Sequence, residues 1–538
     1  MNNILKKIKL VKFKVKLPLI FAILALILLG LFSKKLFYFR WIGYESIPET
    51  SIILDEKNYV AAGYSFLKTG VPTAWSNLNG YTLPKNNHDN KESQRVIDFD
   101  NVSITLNDQK PSFKNKEIFD YPLFYVTNTD VGKGQESILL VQPFLDHSPL
   151  AGVFYSLWDK NVPNHFADFE TADFRKGALF LGIVTSLLIF FTALLLTKKW
   201  LAAFFSFFIY CLAPTYVLSS RYALIENLLI PLSLLTLIFL IIWQKSKLKN
   251  LFLILAGITT GLAILTKETG IFVLIMSLAI LIQQRLSFKK ILPYLIPSLL
   301  IGSIFYLYAL LLAPNLYTDL FFNQTGRGFF GPLAFLFSSR QINFEGFPLD
   351  GFWLWGLILI PLSFFRKEEK TSWVLIGFIS YLLIFLIFGG LNYPWYYLPF
   401  IPFVVLISGL EIYNLLFKPN LASLSLFFLL PFSTAMFWGW SVFQNNGQAG
   451  FYRLSLLLFL SAFLIFKAKD TDWKKYKGRF YQKFKLLIKI FQFKEGLIFR
   501  LIWYIFFGVV LYFTYKWGQR SIQYIIANWS NLPKPFVF

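Results

Sequence analysis

Cysteine is nearly absent from this chain: Cys211 is the only one in 538 residues. One thiol cannot close an intrachain disulfide, so the cysteine pattern leaves the redox compartment open. Histidine is scarce too, and His88, His147 and His165 are scattered, which speaks against a histidine-built zinc site. Charge is thin, at 15% Asp, Glu, Lys and Arg, where soluble domains carry about 25%. Acidic residues are the rarer sign, 29 against 52 basic, for a net charge of +23. That excess is not a nucleic-acid footprint. The basic residues cluster in short loops between apolar runs and in two terminal segments, as the positive-inside rule requires.

What is abundant is apolar side chain, 56% hydrophobic with 20% aromatic. It comes as separate runs, many long enough to cross a ~30 Å hydrocarbon slab. The sequence therefore predicts an all-α polytopic membrane protein with about 13 transmembrane helices. Residues 1–16 carry Lys6, Lys7, Lys9, Lys12, Lys14 and Lys16 and read as a cytoplasmic basic N-terminus. The first apolar run, 17–32, is followed by Lys34, Lys35 and Arg40 rather than a small-residue cleavage site, so it reads as an uncleaved anchor. One crossing puts residues 33–174 outside. Further runs are expected at 176–196, 201–218, 227–243, 251–266, 270–283, 291–313, 351–365, 372–389, 397–416, 421–440, 451–466 and 497–515. The loops that alternation places inside, such as Lys198-Lys199, 244–250 and 283–290, are basic; those placed outside are mixed or neutral. This predicts a multi-pass protein of the plasma (inner) membrane.

Two segments depart from the pattern. Within the first outer loop, about 82–142 alternates in Val102 to Leu106, Leu123 to Val126 and Ile138 to Val141, between Asn, Asp and Gly turns. It predicts a small extracytoplasmic β-rich insert. Residues 467–496 are dense in lysine, with Trp473, Tyr476, Phe480 and Phe484 at helical spacing. They read as a basic amphipathic helix on the anionic cytoplasmic leaflet. One more transmembrane helix and a tail fill 497–538, so the main transmembrane domain is 17–466.

Ionisable residues at span ends are few, and burying them is expensive. Leu54-Asp55-Glu56-Lys57-Asn58-Tyr59 opens a juxtamembrane helical pattern that stops at Gly70 and Pro72. Asp55 and Glu56 can do general-base chemistry at the bilayer surface. The plainer reading is that Asp55 caps the helix and Glu56 complements its dipole. Asp146-His147-Ser148-Pro149-Leu150 opens a second helical piece. Arg175 opens the second span, Arg221 and Glu226 flank one outer turn, and Lys267-Glu268 form another. Arg327 lies in the long outer loop, and Tyr396 in Tyr393-Pro394-Trp395-Tyr396-Tyr397. All fall on one side of the membrane. Snorkelling and local pairing, such as Arg221 with Glu226, would also account for single members. A transporter or flippase of lipid-linked glycans is the alternative class. It would favour mid-span charges and internal repeats, and neither is evident.

Taken in order, these motifs resemble the GT-C type membrane glycosyltransferases that use polyprenyl-phosphate-linked sugars. Within these they are similar to the protein O-mannosyltransferase and lipid A aminoarabinose transferase group. The resemblance covers roughly 17–410 and rests on Asp55-Glu56, Asp146 to Leu150 (with Ser148 where the group has proline), Arg175 with Gly182, Arg221 to Glu226, Gly261 to Lys267, and Trp395 to Pro402. It implies transfer of a sugar to an acceptor hydroxyl of a protein, lipid or glycan outside the cytoplasm. The leaving phosphate needs no general acid, so one base suffices. Asp55 is then expected as the base and Glu56 as its partner, with inversion at the anomeric carbon. Lys267, Arg327 and Arg221 are expected on the donor phosphate. Asp146, His147, Glu226, Tyr59 and Tyr396 are expected to position substrate or cation. Asp55, Glu56, Asp146 and His147 offer hard ligands that would take Mg²⁺ or Mn²⁺, though the sequence establishes no cofactor.

Overall fold

Backbone polar groups inside a bilayer must be satisfied within the segment, so apolar runs of this length fold as helices. The computed structural model agrees. It describes residues 37–42, 51–76, 96–98, 123–129, 136–159, 169–325, 343–344, 347–348, 351–363, 369–388, 394–417 and 497–527, with single positions between them. Helix α1 is Ser51–Thr69. Strands β1 (Ala74–Trp75), β2 (Val96–Asp98), β3 (Leu123–Thr129) and β4 (Glu136–Gln142) lead to helix α2, Leu150–Ser156. Helices α3 (Thr171–Thr197), α4 (Trp200–Leu212), α5 (Pro214–Ser219), α6 (Ile225–Lys245) and α7 (Lys249–Thr266) follow in quick succession. Then come α8 (Ile271–Gln283), α9 (Phe288–Gly302), α10 (Ile304–Leu312) and α11 (Pro314–Thr325). A small hairpin of β5 (Asn343–Phe344) and β6 (Phe347–Pro348) precedes α12 (Gly351–Ser363) and α13 (Glu369–Phe388). A 3₁₀ segment, Pro394–Phe400, runs into α14 (Ile401–Phe417), and α15 is Leu497–Ala527.

Among the described residues, five helical stretches are long and apolar enough to cross a bilayer: Thr171–Thr197, Ile225–Lys245, Lys249–Thr266, Phe288–Leu312 and Trp395–Phe417. Shorter apolar helices occupy Trp200–Leu212, Glu268–Gln283 and Thr371–Ile387. The chain is a multi-pass membrane protein. Most of the first run, the runs at 421–440 and 451–466, and the 467–496 segment lie outside the described residues. The run expected at 201–218 is not one helix. Ala213 is extended before Pro214, which starts a new helix at its first position. The run at 291–313 is one helical stretch, with α9 passing into α10 through Ser303, itself in helical conformation.

Small residues decide how closely the helices approach. A Cβ on Gly257 would lie 2.3 Å from the Tyr294 carbonyl oxygen, and one on Gly261 would lie 3.0 Å from the Pro297 carbonyl. These glycines, four apart on α7, let it lie against the backbone of α9, the packing small-xxx-small spacing permits in membranes. Threonine hydroxyls on α6 and α7 meet at 2.8 Å, Thr236 with Thr259. The tightest crossing is outside this bundle: a Cβ on Gly63 of α1 would fall 1.9 Å from the Gly152 carbonyl carbon of α2. Only two glycines allow that contact.

The four strands form one sheet in the order β1-β4-β3-β2. β3 and β4 are antiparallel from Leu123↔Gln142 to Thr129↔Glu136, and β2 runs parallel to β3. The piece expected at Val102 to Leu106 lies outside the described residues. The sheet is tied to α1 by one side chain. The Asn58 amide donates to the Trp75 carbonyl at 2.7 Å and accepts from the Trp75 N–H. The Phe144 N–H donates to the Pro72 carbonyl at 2.7 Å. The segment between Trp75 and Leu140 therefore leaves and returns at one place, beside α1.

Candidate functional site

Asp55 and Glu56 are adjacent on α1, so their side chains diverge by about 100° around the helix. The structure uses that divergence. Asp55 is half-buried, while Glu56 has no exposed surface. Glu56 accepts from Arg175 Nε at 3.0 and 3.1 Å, and Arg175 Nη2 also bonds it. The Ala223 N–H donates to the same carboxylate at 2.6 Å. Arg175 is 1% exposed and lies over the Tyr222 ring, 5.2 Å from its centroid. Glu56 thus joins three segments: α1, the first turn of α3, and the turn before α6.

That turn is itself over-determined. Asn227 Nδ2 donates to the Ser219 and Tyr222 carbonyls at 2.9 and 2.8 Å. The Tyr155 hydroxyl of α2 donates to the Leu224 carbonyl at 2.8 Å. The effect is to set Glu226, in the first turn of α6, at a fixed height. Glu226 accepts from Lys267 Nζ, and both are buried, at 1% and 4% exposure. Arg221 and Glu226 therefore do not pair with each other. Arg221 Nη2 bonds the Phe39 carbonyl, and its electrostatic neighbours are Tyr222, Arg40 and Arg175.

Lys267 does not snorkel either. It is extended backbone between α7 and the 3₁₀ turn Glu268–Gly270, and the break turns its side chain inward. Its Nζ lies 4.6 Å from the Tyr396 ring centroid. Burial alone would push its ammonium down, but Glu226 beside it more than offsets this and holds it above the usual lysine range. An ammonium has three N–H donors, so contact with Glu226 and Tyr396 leaves capacity for an anion.

Asp146 and His147 follow β4 and face the same region. Ser76 Oγ donates to Asp146 Oδ2. The Tyr81 hydroxyl accepts from the Leu145 N–H at 2.8 Å and is an electrostatic neighbour of Asp146. Burial pushes the Asp146 carboxyl up to about 6, against the opposing pull of the Ser76 bond and His147. His147 Nδ1 is 3.3 Å from Glu268 Oε2, and its ring meets Tyr59 edge-on at 6.0 Å.

Tyr59, one turn along α1 from Asp55, is the centre of the arrangement. Its phenol is held well above the usual range by burial first, then by Asp55, Glu226, Tyr396 and Asp146. The sequence-read residues Asp55, Tyr59, Asp146, His147, Glu226, Lys267 and Tyr396 therefore come together. Glu56 is committed to Arg175, while Arg221 bonds the Phe39 carbonyl through Nη2 and keeps Nε and Nη1 buried without a hydrogen-bond partner among the described residues. Arg327 lies outside the described residues. Sequence reasoning missed Glu268 as the partner of His147 and Ser76 as the donor to Asp146. Ser76 had no local signal, being brought in by the sheet.

For a divalent cation the fit is poor. No group of three or more His, Cys, Asp or Glu poised for a metal is found among the described residues. Of the four residues expected for one, Glu56 is already taken by Arg175.

Comparison with known proteins adds an independent ground. No curated protein sequence matches the chain. Among solved structures it is similar to ArnT from Cupriavidus metallidurans in the apo state, at 15% identity and TM-score 0.43, covering 71% of this chain and 68% of that one. ArnT from the same organism bound to undecaprenyl phosphate gives 14%, 0.42, 72% and 69%. The archaeal oligosaccharyltransferase AglB from Archaeoglobus fulgidus, in complex with an inhibitory peptide and a dolichol-phosphate, gives 11%, 0.38, 71% and 48%. Residues 124–319, which hold Asp146, His147, Arg175, Glu226 and Lys267, match the model of the dolichyl-phosphate-mannose-protein mannosyltransferase family, and over that stretch the chain is similar to that family.

Proposed function

We propose that the protein transfers a sugar from a polyprenyl-phosphate-linked donor to an acceptor hydroxyl, on the extracytoplasmic face, with inversion. The observation that carries this reading is a half-buried carboxylate, Asp55, beside Tyr59, whose other neighbours Glu226 and Tyr396 hold the buried, inward-turned ammonium of Lys267. A general base and a cation for a leaving phosphate are the two groups the reaction asks for. Asp55 takes the proton of the acceptor hydroxyl as that oxygen attacks the anomeric carbon. The anomeric C–O bond breaks, and its electron pair leaves with the lipid phosphate. Lys267 offsets the added charge, and His147, when protonated, adds a second cation at the same mouth. Asp55 then returns its proton to water. Glu56 holds α1 in place and does not touch the reacting atoms. The family matched by residues 124–319 supports the donor class. A flippase reading is not favoured: the buried pairs of Glu56 and Glu226 sit at helix ends rather than mid-span.

The topology belongs to the same proposal. With a cytoplasmic N-terminus and about 13 crossings, the basic loops lie inside and this cluster lies outside. The deciding experiment is Asp55→Asn, which keeps shape and removes basicity. Transfer should fall by roughly 10²-fold or more, with folding and donor binding retained. A variant that transfers at near wild-type rate would take the base away from Asp55.

A further inference from the structure

At the other end of the bundle the structure holds a cavity of about 320 Å³. It lies between the end of α3, the first half of α4, the start of α13 and the middle of α14. Along α3, Leu196 at the cavity is 21 residues from Arg175 at the site, about 30 Å at the helical rise. The two places are therefore at opposite ends of α3. The polar lining is Lys199, Thr197, Ser206 and Thr371, and Leu196 and Ile407 are among the apolar walls. Among the described residues no carboxylate lines it.

The local chain explains why the lysine is there. Lys198 adopts the left-handed conformation, φ 56°, and ends α3 with its N–H on the Leu194 carbonyl. The chain reverses at once. Thr197 Oγ1 donates to the Ala193 carbonyl at 2.7 Å and accepts from the Lys199 N–H at 3.1 Å. Lys199 becomes the N-cap of α4, and its Nζ sits 4.7 Å from the Tyr413 ring centroid of α14. The positive ends of two helices, α4 and α13, reach the same cavity. Thr197 and Ser206 spend their hydroxyl protons on the Ala193 and Ala202 carbonyls, so one lysine, the Thr371 hydroxyl, two helix N-termini and an apolar wall are what remain to receive a phosphodiester attached to hydrocarbon.

We propose that this cavity binds the headgroup of an anionic phospholipid from the leaflet at that end, which is the cytoplasmic leaflet under the topology proposed above. Binding does not depend on the glycosyl-transfer reading, and its test does not read transfer. The phosphate is held by Lys199 and Thr371, while the glycerol and upper acyl carbons cover the apolar wall. The site clasps the start of α4 to the start of α13 through a lipid.

The full chain in mild detergent is presented with dioleoylphosphatidylglycerol or dioleoylphosphatidylcholine, and bound lipid is counted by native mass spectrometry. Phosphatidylglycerol should stay bound in preference to phosphatidylcholine. Lys199→Gln should lower its occupancy roughly fivefold, the weight of one lysine against an anionic lipid. Thr371→Val, which keeps the buried shape, should lower it as well. Lys198→Gln removes the same charge from the exposed neighbour outside the cavity and should change occupancy by less than about twofold. Equal losses from Lys198→Gln and Lys199→Gln would show a diffuse surface charge and overturn the site. So would phosphatidylcholine binding as well as phosphatidylglycerol. Displacement of the lipid by inorganic phosphate alone would assign the cavity to a soluble anion and refute the lipid.

Discussion

Glu56→Gln separates holding from chemistry more sharply than any other single change. In the structure Glu56 and Arg175 are 0% and 1% exposed, and their contact is bidentate. Glutamine keeps an oxygen for Arg175 and one hydrogen-bond role toward Ala223, but it leaves the guanidinium charge uncompensated inside the bundle. Removing one partner of a buried pair costs about 3–5 kcal/mol. The variant should therefore unfold at distinctly lower concentrations of a denaturing detergent, followed by tryptophan fluorescence. Arg175→Met alone should do the same, since it strands the carboxylate. The double variant, Glu56→Gln with Arg175→Met, buries no charge and should regain most of the loss, because contacting residues are not additive. Sugar transfer by the double variant should persist wherever α1 is still seated. If Glu56→Gln unfolded like the wild type and yet lost transfer, Glu56 would be acting on the substrate, and its assignment as a positioning residue would be wrong.

Other perturbations test other parts of the cluster. The Asp146 carboxyl is raised from 3.8 to about 6 in the folded protein by burial. The folded state therefore binds the extra proton, and stability falls as pH rises from about 4 through about 6. Asp146→Asn should abolish that fall, gaining on the wild type by about 3 kcal/mol between those limits; parallel unfolding curves for the two proteins across pH would contradict it. Gly152→Ala puts a methyl 1.8 Å from the Tyr59 carbonyl oxygen, so α1 and α2 must part, costing about 1–3 kcal/mol and displacing Asp55; an unchanged unfolding midpoint would refute the close crossing. Lys267→Ala should cost stability by stranding Glu226. Adding Glu226→Ala should restore stability but not transfer, and recovery of transfer in the double variant would remove Lys267 from the donor phosphate.

Much of this was legible in the sequence for a simple physical reason. Apolar length and the sign of the loops are one-dimensional, so helices such as Thr171–Thr197 and Ile225–Lys245 were readable within a few residues. Candidate site residues were readable because ionisable groups at span ends are rare. Pairing was not. Arg221 and Glu226, five apart, looked like partners, but a turn tied by Asn227 and Tyr155 sends one to the Phe39 carbonyl and the other to Lys267, 41 residues on. Nor does the sequence show how differently Asp55 and Glu56 are buried. Their burial differs because Glu56 faces Arg175 of α3 and the Ala223 N–H, 119 and 167 positions on, and no local rule announces those contacts. The break at Ala213 was hidden for another reason: hydropathy continues through it while the helix does not.

The two buried pairs at this end constrain how the site can form. Glu56–Arg175 joins α1 to α3, and Glu226–Lys267 joins α6 to the end of α7. A lone carboxylate or guanidinium is expensive in the interior of a membrane protein, so each pair becomes favourable only after both helices have docked. Glu226–Lys267 can form within the α6–α7 hairpin, but Glu56–Arg175 needs α1 and α3 together, 119 residues apart. The catalytic geometry is thus coupled to completion of the α1–α3 contact. Asp55 shares α1 with Glu56, so its place at the membrane surface is fixed by a neighbour that faces the other way. A chain in which Glu56 were replaced but α1 were covalently tethered to α3 should then recover transfer, since position and not the Glu56 charge is what the reaction uses.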